Sequence, residues 1–436
     1  MHIEEVTAGV PIIDLDVAPP SDVAEPRSRL AVLRPFLLVG GLGLALALGA
    51  AAPPANVLRP ILSAEGTPAA AFVLGPDSLY TAQYGNNPNS EAAVRGYDLT
   101  NGTLRWAVAV PQNVQNLEID PRSPVLMARS GTEPKITFLD SGSGATLWHV
   151  EAPNTSVVRL ADGAVLMRAD LTGTETSLRL ADARTGREIW AHTVDAAAEL
   201  GPDDLYGDTP SRIVAIAATG EVTVLRWADG VVLSKGNLPV RLPVQADYNL
   251  GVSDYIGVST VGDRVYVSRR ENGQASMTAY STVPLVQLWR AEHGPVGSVF
   301  DCAAVLCVAD THFVSGVDPT NGAVRWTATE FSSAERYDAS HLFAYDQREM
   351  PESAVLDSAT GKVLHRIGQT VRVGELLLRT DTVIPGRAWV AVVDPADGAT
   401  HTVGSVGTGA PYGCEVRDAY LACPTTAGPT TVWRVP

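Results

Sequence analysis

With 436 residues, 45% hydrophobic and 18% charged, the chain has the composition of a globular protein, which excludes a wholly disordered one. Its formal net charge of −16 repels phosphate backbones and anionic lipid heads, which sets nucleic acid aside as a partner. The length allows two or three ordinary domains or one large repeat domain.

Residues 1–34 carry Pro11, Pro19, Pro20 and Pro26 among few large apolar groups. Such a piece cannot bury enough surface to offset its ordering entropy, and a disordered cytoplasmic tail is expected. Within it, Val10 to Leu15 reads as either a docking peptide or a plain linker. From Pro35 to Ala52 no residue is charged, and the uncharged stretch runs on to Arg59. About twenty residues at 1.5 Å each cross a bilayer core of about 30 Å, so the stretch predicts one transmembrane helix over 35–55. Arg27, Arg29 and Arg34 precede it and only Arg59 follows closely. The positive-inside rule then places the N-terminus in the cytoplasm and 56–436 outside the cell membrane. A cleaved signal peptide is the alternative, suggested by the small residues Gly49 to Ala52. Six acids in the preceding tail, and prolines at 53 and 54, speak against it. No Cys lies nearby to carry a lipoprotein anchor.

Beyond residue 55 the pattern is short β-branched runs punctuated by Gly, Asp and Pro, with no sustained helical period, so this part is all-β. One phrase recurs: an apolar strand, Asp, two or three residues, Gly, three residues, Trp. It appears as Asp98, Gly102, Trp106; Asp140, Gly144, Trp148; Asp182, Gly186, Trp190; and Asp318, Gly322, Trp326. Weaker copies are Arg226 to Gly230, Ser281 to Leu285 with Trp289, Asp357 with Gly361, and Asp394 with Gly398. Successive copies lie 37 to 55 residues apart, a period that fits one four-stranded antiparallel sheet per repeat.

Each part of the phrase has a mechanical reason. Gly between two strands takes the positive φ that a hairpin turn needs. Asp accepts hydrogen bonds from backbone N–H groups two or three residues on. Trp, four residues past the Gly, sits on the outer strand, slots between neighbouring sheets and gives its N–H to a backbone carbonyl. Sheets that bury their faces only against neighbours must close into a ring. Three copies have Ser234, His365 and Thr402 at the Trp position, which makes packing less defined there.

The phrase Ala/Leu-x-Asp-x-x-Thr-Gly-x-x-x-Trp resembles the repeat of pyrroloquinoline-quinone (PQQ) type propellers, over about 65–436. The chain is similar to the non-enzymatic, BamB-like members of that superfamily, whose namesake is an eight-bladed scaffold lipoprotein. The resemblance implies a β-propeller binding scaffold. Eight phrases favour eight blades. Nine stay open, because Thr430 to Val435 forms a further strand whose missing outer partner Val57 to Leu62 can supply.

Four Cys allow three pairings. Proximity across hairpins, in an oxidising exterior, favours Cys302–Cys307 and Cys414–Cys423. Zinc is the alternative, but no C-x2-C spacing exists and His312 is the only imidazole nearby. The sequence holds no hydrolase elbow, zinc-protease, phosphate-loop or EF-hand motif. The quinoprotein dehydrogenases of the superfamily use an adjacent-cysteine disulfide and a Ca²⁺ site, neither of which can be assigned here. No catalytic residue, cofactor or metal is therefore expected. The expected role is a non-enzymatic, membrane-tethered scaffold for a protein, peptide or glycan; a quinone-dependent dehydrogenase and an envelope sensor are the alternatives.

Overall fold

The computed structural model describes residues 58–435, less 65–70, 84–91, 111–113, 121, 131–134, 152–153, 172–173, 203–209, 243–254, 293, 347–351, 395, 409–410 and 427. The predicted tail and membrane helix lie outside these residues. Among the described residues no helix is long and apolar enough to cross a membrane. Every strand belongs to the unit Asn56–Pro436.

The strands pair antiparallel in sequence order, four to a sheet. Blade 1 is Ala71–Leu74, Ser78–Gln83, Ala92–Asp98 and Leu104–Val110. Blades 2 to 6 repeat this over 114–151, 155–195, 197–237, 255–292 and 298–328. First strands of neighbouring blades approach one another, as Ala71–Leu74 does Val114–Ile119 and Tyr255–Val261 does Ser298–Cys302, so they stand at the axis. Second and third strands are buried on both faces: Val125–Ser130 and Arg212–Ala217 show almost no exposure along their length. Fourth strands alternate exposed and half-buried residues, as in Leu104–Val110, because one edge meets solvent.

The apolar core lies between blades rather than within them. Tyr80, Ala82 and Val94 of blade 1 pack on Leu117, Ile119, Leu126 and Leu139 of blade 2. Burying each large side chain contributes about 1.5–3 kcal/mol. Leu126→Ala, at a wholly buried site, would cost about 2–5 kcal/mol and loosen this seam first.

Blades 7 and 8 share a strand. Val363–Val373 pairs by its first part with Glu352–Asp357 and by Thr370–Val373 with Leu376–Thr380, making one seven-stranded sheet. The last blade takes Glu415–Arg417, Tyr420–Pro424 and Thr430–Arg434 from one end of the chain and Pro60–Ala64 from the other. Ser63 and Thr431 hydroxyls bond across this pair at 2.8 Å. Among the described residues the strands thus form nine four-stranded blades, which corrects the preference for eight. The reason is physical. In the ninth blade the third and fourth strands come from distant parts of the chain, so no Asp-to-Gly hairpin marks it.

Candidate functional site

The repeated phrase builds a relay between blades. In its turns, Asp98 Oδ1 accepts the Thr100 N–H at 2.7 Å, Asp182 Oδ1 that of Thr185 at 2.7 Å, and Asp318 Oδ1 that of Thr320 at 2.8 Å. Asp140, Asp357 and Asp394 make the equivalent bonds to Ser143, Thr360 and Ala396. Thr100, Ser143 and Thr185 hydroxyls hold the carboxyls of Asp98, Asp140 and Asp182 below the usual range. The Thr320 hydroxyl and then Arg325 hold Asp318 at about 2. Gly102, Gly144, Gly186, Gly322, Gly361 and Gly398 all have φ between 67° and 76°.

Each Trp then reaches the next blade's turn. Trp106, Trp148, Trp190, Trp289 and Trp326 donate their indole N–H groups to the carbonyls of Ser141, Ala183, Trp227, Pro319 and Ser358, at 2.8 to 3.1 Å. Each ring lies where a Cβ on the next phrase's Gly would stand, at Gly144, Gly186, Gly230, Gly322 and Gly361. Where Trp is missing in blade 4, the Ser234 hydroxyl accepts the Leu285 N–H and Gly236 admits the Leu285 side chain. At blade 7, Leu364 rather than His365 approaches Gly398. These residues hold neighbouring blades together.

The cysteines pair as Cys302–Cys307 and Cys414–Cys423. The adjacent-cysteine disulfide of the dehydrogenases therefore has no counterpart. Among the described residues no three His, Cys, Asp or Glu stand close enough to hold a metal.

A groove of about 300 Å³ lies where the first strands of blades 9, 1 and 2 meet, lined by Ala71, Phe72, Gln115, Asn116, Leu117, Tyr412, Gly413, Cys414 and Glu415. Tyr412 stands at its rim, 77% exposed, on a single turn of 3-10 helix, Pro411–Gly413. The Cys414–Cys423 bond ties the end of that turn to the second strand of blade 9. Glu415 follows on the first strand, half-buried, and its Oε2 accepts the Leu74 N–H of blade 1 at 3.0 Å. Leu74 sits on a strand edge, so this side chain completes a backbone bond that no further strand supplies. Burial pushes the Glu415 carboxyl up to about 7, against the opposing pull of the Leu74 N–H and of Arg417. Glu118, on the first strand of blade 2, is also raised by burial, with Arg159 and Arg129 opposing.

Sequence reasoning missed this groove. Glu-Val-Arg on a short strand reads as an ordinary solvated segment, and nothing local signals that blades 1 and 2 will cover it. The legible signal was Tyr412 next to a disulfide, an aromatic on a pinned turn.

The model of the family described as outer membrane protein assembly factor BamB matches residues 90–328. No curated protein matches the chain. Among solved structures, BamB from Moraxella catarrhalis is 16% identical, with 87% of this chain and 98% of that one covered at a TM-score of 0.46. Sqt1 of Saccharomyces cerevisiae is 11% identical, covering 87% and 100% at 0.47. The computationally designed Ika8 protein is 13% identical, covering 86% and 100% at 0.44. Membership rests on the family match, which spans more than half of the 436 residues and six of the phrases described above. The chain belongs to the BamB family of PQQ-like β-propellers.

Proposed function

We propose that the chain is a non-enzymatic scaffold, tethered to the cell membrane by a helix at 35–55, which receives an extended polypeptide segment outside the cytoplasm. The groove between blades 9, 1 and 2 is the observation that carries this reading. Its walls include the first strands of blades 1 and 2, each paired with a strand on one side only, so the free edge at Ala71 and Phe72 can pair with an added chain. Phe72 and Tyr412 supply apolar contact, and the exposed amides of Gln115 and Asn116 can bond a peptide backbone. The family's namesake is by its description an assembly factor for outer membrane proteins, which favours a protein over a glycan as partner.

The test is a photo-crosslinking residue at Tyr412, compared with one at Leu104, 52% exposed on an outer strand. A discrete adduct from position 412 and none from 104 is expected; equal or absent labelling overturns the site. For the tether, the chain should resist carbonate extraction at full length. External protease should remove the propeller and spare an N-terminal tag. Release of a shortened soluble form overturns the tether alone.

A further inference from the structure

We propose that the groove selects an extended segment carrying a basic side chain, whose cationic head meets the carboxyl of Glu415. This rests on the peptide-binding reading above and names what the peptide must contain. Glu415 lines the groove and uses Oε2 for the Leu74 N–H, leaving Oε1 as an acceptor. Among the described residues it takes part in no ion pair, and the charge that acts on it is Arg417, two residues along the same strand face. Among the described residues that line the groove opposite, none is titratable: Phe72 and Leu74 come from blade 1, and the amides of Gln115 and Asn116 from blade 2. The Tyr412 phenol stands at the rim.

A half-buried carboxyl beside two aromatic rings suits a Lys or Arg better than any other side chain. The rings take the aliphatic stem, and the carboxyl takes the charge. A net charge of −16 on the chain draws a basic segment in and disfavours an acidic one. The arrangement also couples binding to pH. Around neutrality Glu415 is partly protonated, so docking a cation expels that proton. Affinity should rise with pH from 6 to 8 and then level off.

The test uses the full chain in detergent and three fluorescent blocked pentapeptides, alanine throughout except for a central Lys, norleucine or Glu. Anisotropy is read at pH 6, 7 and 8 in low salt, on the wild type, Glu415→Gln and Tyr412→Ala. Gln keeps an acceptor for the Leu74 N–H, and a melting temperature no lower than that of the wild type verifies its fold. At pH 8 the Lys peptide should bind the wild type about tenfold tighter than the norleucine peptide. That preference should vanish in Glu415→Gln and shrink toward pH 6. A preference that survives Glu415→Gln, or tighter binding of the Glu peptide, overturns the proposal. If all three peptides bind alike and Tyr412→Ala weakens all of them, the basic preference falls while the peptide groove stands. If none binds at millimolar concentration, both fall.

Discussion

The ring of Trp326 fills the space that a side chain on Gly361 would need, since a Cβ there would stand 2.4 Å from the indole Cδ2. The same Gly has φ of 67°, so the turn and the seam make separate demands on one residue. Gly361→Ala should cost about 1–2 kcal/mol from the left-handed backbone and about 1–3 kcal/mol more from overpacking against the indole. Gly163→Ala isolates the first part, because φ there is 71° with nothing within 4 Å. Urea denaturation of the two variants should show Gly361→Ala as the more damaging; equal losses would remove the Trp contact from the account.

The turn carboxylates predict acid sensitivity. Asp98, Asp140, Asp182 and Asp318 ionise more readily in the fold than in an unfolded chain. Their contribution is therefore complete above the ordinary value of 3.8 and is lost as pH falls toward about 2, the value for Asp318. Loss of these four carboxylates should lower the melting temperature between about pH 4 and 2. Changing the four to Asn together should flatten that drop.

Glu415 has the opposite sign. Its carboxyl holds a proton more tightly when folded, so ionising it works against the fold. Wild-type stability should decline as pH rises from the ordinary 4.5 toward about 7. Glu415→Gln should gain on the wild type over that interval, by less than about 3 kcal/mol after solvent screening. At pH 4 the two should be alike in slope. Parallel melting curves across pH 4 to 8 would show a carboxyl with no special environment.

Each disulfide closes a short loop, of five and nine residues in separation. Chain entropy alone assigns about 2–3 kcal/mol to such loops. Cys414→Ala with Cys423→Ala should lower stability by about that amount and also free the Tyr412 turn, weakening peptide binding. Removal of Cys302–Cys307 should lower stability and leave binding alone. Differential scanning calorimetry with the anisotropy assay separates the two.

Much of the propeller is legible in the residues because its repeat is a local device. Asp98 to Trp106 states its own hairpin, and five Trp positions state where the next blade must come. What escapes is non-local. The ninth blade has no hairpin of its own between third and fourth strands, so counting phrases falls one short. The run through Gly368 joins blades 7 and 8 without a loop. Glu415 is an unremarkable acid until Leu74, brought across 341 positions of sequence, donates its N–H.

The pairing of Pro60–Ala64 with Thr430–Arg434 also has a consequence in time. Ser63 meets Thr431 across 368 positions. At about 5–20 residues per second, the ribosome needs roughly 20–70 s to make the second strand after the first. Through that interval Pro60–Ala64 is an orphan β-strand, open to pairing with any other chain that passes.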